Sequence, residues 1–319
     1  MRRLTHREFL EARDRYDAAV AAAPGATPFV SGSLWQLAAR DTLERPGADD
    51  ETLIVEDGGD WLLFAERGGQ RLFAPYETAW LFGCPLVGNA ETLPDLLHEA
   101  ARRYLASPAA FLVGGVPRGG PLEAALQGSR HRYRQSGTFP GTDCMLIDLE
   151  GDAEAWLGRR SPRFRKGLAK LRLPEGHRFE EADRLSPGAL LQRLLAVQAR
   201  TYKWREGSDI FLDPRYRAFY ERLIAGLHRR GGVRATFVTG EGGDLAYILG
   251  GVEGGTYRGL QMGYDESRRE AGLGNLLQWQ NLQDRATEGL RRYDLGMHSP
   301  YKERWADRWE RFGGFFLVA

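Results

Sequence analysis

The stretch RREAGLGNLL, residues 268–277, decides how the rest of the chain is read. From Arg269 to Gly274 it spells R-x-x-G-x-G. A strand-like run, YRGLQMGY at 257–264, precedes it, and a helix-like run in which Leu276, Trp279, Leu282 and Ala286 recur follows. Glycine lets a backbone turn sharply and approach a ligand closely. The first N–H groups of the following helix have no partner inside the helix and attract an anion. The stretch therefore reads as a phosphate cradle.

A dinucleotide fingerprint is the main competitor. Gly272 and Gly274 form G-x-G, and Asp294 stands about twenty residues on, where that motif carries an acid. Against it, Leu277 occupies the third glycine position and the loop starts several residues beyond the strand. Only 45 residues follow Gly274, too few for the remaining βαβ units. The G-x-x-x-x-G-K-[ST] pattern of a P-loop occurs nowhere. On these residues alone a plain turn with packing glycines stays open, and the order of elements around the loop favours the cradle.

A chain of 319 residues fits two domains of roughly 150 residues each. Hydrophobic content of 42%, charged content of 27% and a formal net charge of +1 are those of a soluble globular protein and argue against a globally basic nucleic-acid binder. Cys84 and Cys144 are isolated, so neither a disulfide framework nor a metal site is expected, and both read as buried apolar residues. The first residues carry charges throughout and no stretch approaches 18 apolar residues. The expectation is a cytoplasmic protein with no membrane partner.

The first half, 1–150, reads as an α+β unit. Thr5 and Glu8 form a capping box that opens an amphipathic helix. Strand-like runs at 52–56, 61–66 and 71–76 are separated by the pairs Gly58-Gly59 and Gly68-Gly69, which read as hairpin turns. A helix at 94–105 and strands at 109–116, HRYRQSG and CMLIDLE complete it. The second half, 151–319, starts with a helix over 152–170, a strand HRFEEAD and a helix opened by Ser186-Pro187. Tyr216, Phe219, Tyr220, Leu223, Ile224 and Leu227 then trace one helical face. VRATFVT, LAYILGGV and YRGLQMGY, joined by glycine turns, predict an antiparallel meander. After the loop and its helix come a strand RRYDLGM, a charged crossing segment and a last strand GGFFLVA.

That order of elements around R-x-x-G-x-G resembles the GNAT superfamily of N-acetyltransferases, and the loop its coenzyme A pyrophosphate loop. The segment after the loop, with Asp294, Gly296, Tyr301, Lys302 and Trp305 in a D-x-G … Y-K … aromatic pattern, is similar to the tandem-GNAT acyltransferases of the FemAB and CelD type. The resemblance implies an α/β fold with mixed sheets. It also implies a degenerate GNAT-like domain at 1–150 and a complete acyl-CoA-binding GNAT domain at 151–319.

The resemblance also implies a site. Backbone at Arg268, Arg269, Glu270, Ala271, Gly272, Leu273, Gly274 and Asn275 would hold the pyrophosphate of acetyl-CoA or another acyl-CoA, and the pantetheine would run past Met262 and Gly263. Acyl transfer needs a neutral amine, a donor for the oxyanion and a proton for the leaving thiolate. Tyr301 is the expected general acid, and Asp294 and His298 are the expected base or amine anchor. Tyr202, Trp204, Arg205, Gln261 and Lys302 are expected to contact a small-molecule or amino-acid-like acceptor. A solvated or packing role stays open for each.

Between Arg159 and Arg172 stand seven basic residues, Arg159, Arg160, Arg163, Arg165, Lys166, Lys170 and Arg172, with no acid among them. They read either as a solvated helix or as a footprint for a polyanion. Fem-type relatives use aminoacyl-tRNA as donor, which is the alternative partner the resemblance implies. The intact glycine loop favours the coenzyme. A third reading keeps the fold as a catalytically inactive ligand-binding protein.

Overall fold

The computed structural model describes residues 1–44, 51–149 and 152–319. The expected domain boundary between 150 and 151 lies outside the described residues. By internal packing the chain divides into two compact units, Met1–Asp143 with Glu310–Ala319, and Cys144–Trp309.

The first unit contains strands β1 (Arg2–Leu4), β2 (Thr52–Asp57), β3 (Asp60–Glu66), β4 (Leu72–Pro75), β5 (Leu86–Val87), β6 (Ala110–Pro117) and β7 (Gln135–Pro140). Its helices are α1 (His6–Ala22), α2 (Pro28–Ser31), α3 (Ser33–Ala39), α4 (Leu93–Tyr104) and α5 (Pro121–Ser129). The capping box forms as expected: the Glu8 N–H donates to Thr5 Oγ1 at 3.2 Å and the Thr5 N–H to Glu8 Oε2 at 2.8 Å. Gly58 and Gly59 turn β2 into β3 with φ of 59° and 101°, values natural only to glycine. Period-two alternation divides the core in two. Trp61, Leu63 and Ala65 of β3 pack with Phe9, Tyr16 and Val20 of α1, while Leu62 and Phe64 pack with Leu97, Ala101 and Leu126 of α4 and α5.

The second unit contains β8 (Cys144–Asp148), β9 (Arg178–Glu181), β10 (Val233–Gly240), β11 (Gly243–Glu253), β12 (Thr256–Tyr264), β13 (Arg292–Met297) and β14 (Arg308–Glu310). They form one sheet in the order β14-β8-β13-β12-β11-β10-β9. Its helices are α6 (Ala153–Gly158), α7 (Pro162–Ala169), α8 (Pro187–Gln198), α9 (Tyr202–Arg205), α10 (Pro214–Arg229), α11 (Leu273–Thr287) and α12 (Pro300–Glu303). β10, β11 and β12 form the expected meander. Ala246 and Ile248 of β11 face Leu273 and Leu277 of α11. Tyr247, on the other face, meets Gln198 at the end of α8 at 2.6 Å.

Three expectations are corrected. The single helix over 152–170 is two, because Ser161 caps a new helix through the Phe164 N–H at 3.2 Å and Pro162 has no N–H to continue the old one. CMLIDLE, assigned to the first half, is β8 and pairs with β13 in the second unit. GGFFLVA, assigned to the second half, is β15 (Phe312–Val318) and lies between β6 and β7 in the first unit's sheet. Phe315 and Leu317 bury there at 1% and 0% exposure, with Phe316 turned outward. Among the described residues no helix is long and apolar enough to cross a membrane.

Candidate active site

Two strands that part company form the site. β12 and β13 run parallel but pair only at Thr256–Arg258 against Arg292–Asp294. Each bulges where they separate. β12 carries one extra residue between Gly259 and Gln261 against β11, and β13 one extra between Asp294 and Met297 against β8. A bulge bends and twists its strand, so two at one level open the sheet into a fork. Beyond it, residues 259–264 present a backbone edge with no ladder toward β13.

Glycines and Lys302 line the fork. Gly296 has φ of 78°, and a Cβ there would sit 3.5 Å from the Gly259 carbonyl and 3.7 Å from Lys302 Nζ. The Lys302 ammonium donates to the Met297 carbonyl at 2.9 Å. Burial, reinforced by the nearby Arg258 guanidinium and opposed by Asp294, pushes its pKa down to about 8. Arg258 and Asp294, opposite each other in the strand register, form an ion pair with side-chain exposures of 3% and 2%. Asp294 also accepts from the Gly296 N–H at 2.6 Å. Both contacts hold the Asp294 carboxylate inside the sheet.

The glycine loop closes the other end of the β12 edge. Glu266–Ala271 make a 3-10 turn, Gly272 adopts the left-handed conformation with φ of 64°, and α11 begins at Leu273. The N–H groups of Asn275 and Leu276 return to the Gly272 carbonyl at 3.0 and 3.2 Å, and those of Leu273 and Gly274 lead the helix. A Cβ on Gly272 would strike Leu171 at 2.7 Å, and one on Gly274 would lie 3.5 Å from the Met262 methyl. Arg268, Arg269 and Glu270 are exposed, with Arg269 reaching Glu266 at 3.4 Å, and Ala271 is partly buried. Asn275 carries a buried side-chain oxygen without a partner among the described residues.

Tyr301 belongs to this loop end. Its hydroxyl donates to the Gly274 carbonyl at 3.3 Å, and burial raises its pKa, so the phenol stays protonated at neutral pH. His298 accepts or donates at 2.8 Å to Glu303 and lies against Trp309, with 4.5 Å between ring centres. Gln261 donates to the Tyr220 hydroxyl at 2.8 Å. Gly263 has its own packing reason, since a Cβ would meet Gln198 at 2.5 Å and Tyr247 at 2.9 Å. In α9, Tyr202 and Arg205 are exposed, and Trp204 is half-buried under the Arg217 guanidinium at 5.8 Å. The charge of Lys203 in α9 adds to the depression at Lys302.

Arg258, Gly259 and Leu171 escaped the sequence reading. A charge inside YRGLQMGY opposite one inside RRYDLGM was the available signal, but it becomes visible only once the strand register is known.

Residues 158–303 match the family described as an acetyltransferase (GNAT) domain. Among solved structures, FemX superposes with a TM-score of 0.67 at 12% identity, covering 100% of this chain and 98% of its own. L-PGS from Bacillus licheniformis gives 0.51 at 15% identity, covering 95% and 91%. A tandem GNAT protein from the clavulanic acid biosynthesis pathway gives 0.50 at 17% identity, covering 99% and 97%. These likenesses show the fold. No curated protein matches the sequence.

Proposed function

We propose that this chain, whose fold is of the tandem GNAT, Fem-like type, is an N-acyltransferase. In this reading it moves an acyl group, acetyl first among the candidates, from a coenzyme A thioester to the amine of a small or amino-acid-like acceptor in the cytoplasm. The fork carries the reading: an unladdered strand edge runs from a glycine loop at a helix N-terminus to a half-buried lysine. Residues 259–264 span roughly 17–20 Å at about 3.3 Å per residue, enough for an extended thioester arm to bond along the edge. The Leu273 and Gly274 N–H groups, with Arg268 and Arg269 adding charge, suit a pyrophosphate.

With its phosphates at the loop, the thioester reaches the fork beside Lys302. The acceptor nitrogen attacks the carbonyl carbon, the C–N bond forms, the C–S bond breaks, and the Lys302 ammonium gives its proton to the departing thiolate. The acceptor amine must arrive neutral, and the proton it sheds passes to water. The resemblance gave the acid's role to Tyr301; its bond to Gly274 favours a role in walling the donor site instead. In this reading Tyr202, Trp204 and Arg205 of α9 are the acceptor's contacts, as the resemblance implies.

A second reading has one observation behind it. Arg163, Arg165, Lys166, Lys170 and Arg172 are exposed and form no ion pair among the described residues, and within that segment Leu171 lies against Gly272. A polyanion such as aminoacyl-tRNA fits that strip. Calorimetric titration with acetyl-CoA and longer acyl-CoAs separates the two. Saturable binding that Gly274→Trp abolishes supports the coenzyme donor. No binding to any thioester sinks it and brings aminoacyl-tRNA forward.

A further inference from the structure

The segment that joins α7 to β9 passes beside the glycine loop, and its charges have no part in the acyl-transfer step. α7 ends at Ala169, and from Lys170 onward the side chains alternate. Leu171 turns inward, so close to Gly272 that a Cβ there would meet it at 2.7 Å. Leu173 packs against the apolar cluster that contains Leu273 and Leu277 at the start of α11. Lys170 and Arg172, alternating with those two leucines, are exposed.

The charges at this end of β12 suit an anion. Among the described residues Lys170, Arg172 and Arg268 pair with no acid, while Arg269 is taken up by Glu266 at 3.4 Å. Three cations against one unpaired acid of the loop, Glu270, leave the loop end positive. Arg172 is also held in place. Its Nη1 donates to the Ala169 and Leu171 carbonyls at 2.6 and 2.7 Å, which leaves Nε and Nη2 with no protein acceptor among the described residues. A guanidinium fixed in this way can offer a phosphate two parallel N–H bonds with little further loss of freedom.

In the proposed function the pyrophosphate is met by the backbone N–H groups of Leu273 and Gly274. Coenzyme A carries a further phosphate, a monoester on the ribose 3′ oxygen, with a charge of about −1.5 to −2 at neutral pH. We propose that Lys170 and Arg172 recognise that 3′-phosphate, with Arg268 adding charge. The inference rests on the coenzyme reading and narrows it. The donor is then the free coenzyme, because a phosphopantetheine arm on a carrier protein has no 3′-phosphate.

Calorimetric titration of the full chain with coenzyme A and with 3′-dephospho-coenzyme A, at low ionic strength, tests this. The dephospho compound should bind about 5–20-fold more weakly. Lys170→Ser combined with Arg172→Ser, both at exposed positions, should weaken coenzyme A by that same factor and leave the dephospho compound unchanged, which also shows that the variant folds. Equal binding of the two ligands overturns the 3′-phosphate site while the donor reading stands. A variant that weakens both ligands alike does the same, since a general attraction to the basic strip acts on the pyrophosphate too. Binding of neither ligand overturns both.

Discussion

Lys302 holds a proton it can give up near neutral pH, because the fork denies its ammonium water while Arg258 repels it. If it serves the thiolate, kcat/KM falls as pH rises through about 8, and Lys302→Gln loses that alkaline limb together with at least about 10²-fold in kcat. Tyr301→Phe, at the loop end, should raise KM for the acyl-CoA more than it lowers kcat. The opposite split in the two variants returns the acid's role to Tyr301. Stability follows the same shift. A lysine whose folded pKa lies below its unfolded value binds more protons unfolded, so the chain gains stability as pH rises from about 8 to the ordinary lysine value of 10.5. Lys302→Met should therefore stabilise the protein at pH 7, by of order 1–3 kcal/mol, with the difference gone above that window. Chemical denaturation at pH 7 and 11 reads it.

At the scale of elements, β12 and β13 are held together at the mouth of the fork by the Arg258–Asp294 pair. Asp294→Asn leaves a buried guanidinium without its countercharge and should cost about 3–5 kcal/mol. Arg258→Met with Asp294→Leu, which removes both charges, should cost much less, and a thermal-denaturation cycle over the single and double variants measures the coupling. If the double variant is as unstable as the single, the pair is not what closes the strands. Both strands were legible in the sequence from their apolar alternation and flanking glycines. The pair was not, because strand register depends on partners distant in sequence. The break between α6 and α7 was legible in Ser161-Pro162 as an N-cap followed by proline. The run of basic residues across it reads as one surface and hides two helices.

At the scale of the molecule, the chain leaves the first unit at 143 and returns at 310. Deleting 312–319 removes the strand between β6 and β7 and leaves two edges open to aggregation. Hydrogen exchange should show protection lost in β6 and β7 and kept in β10–β12; uniform loss would mean the two units do not unfold separately. The sequence by itself determined what is local: the caps, the glycine turns, the meander, and the loop R-x-x-G-x-G at a helix start. Each of these is specified by backbone conformation and by periods a few residues long. Only the tertiary structure decided which sheet receives β8 and β15, that Asp294 pairs with Arg258, and that Lys302 lies beside Gly296 at the fork. Those outcomes depend on contacts between residues as many as about two hundred positions apart, such as Gly313 with Val116, whose energies no local pattern encodes.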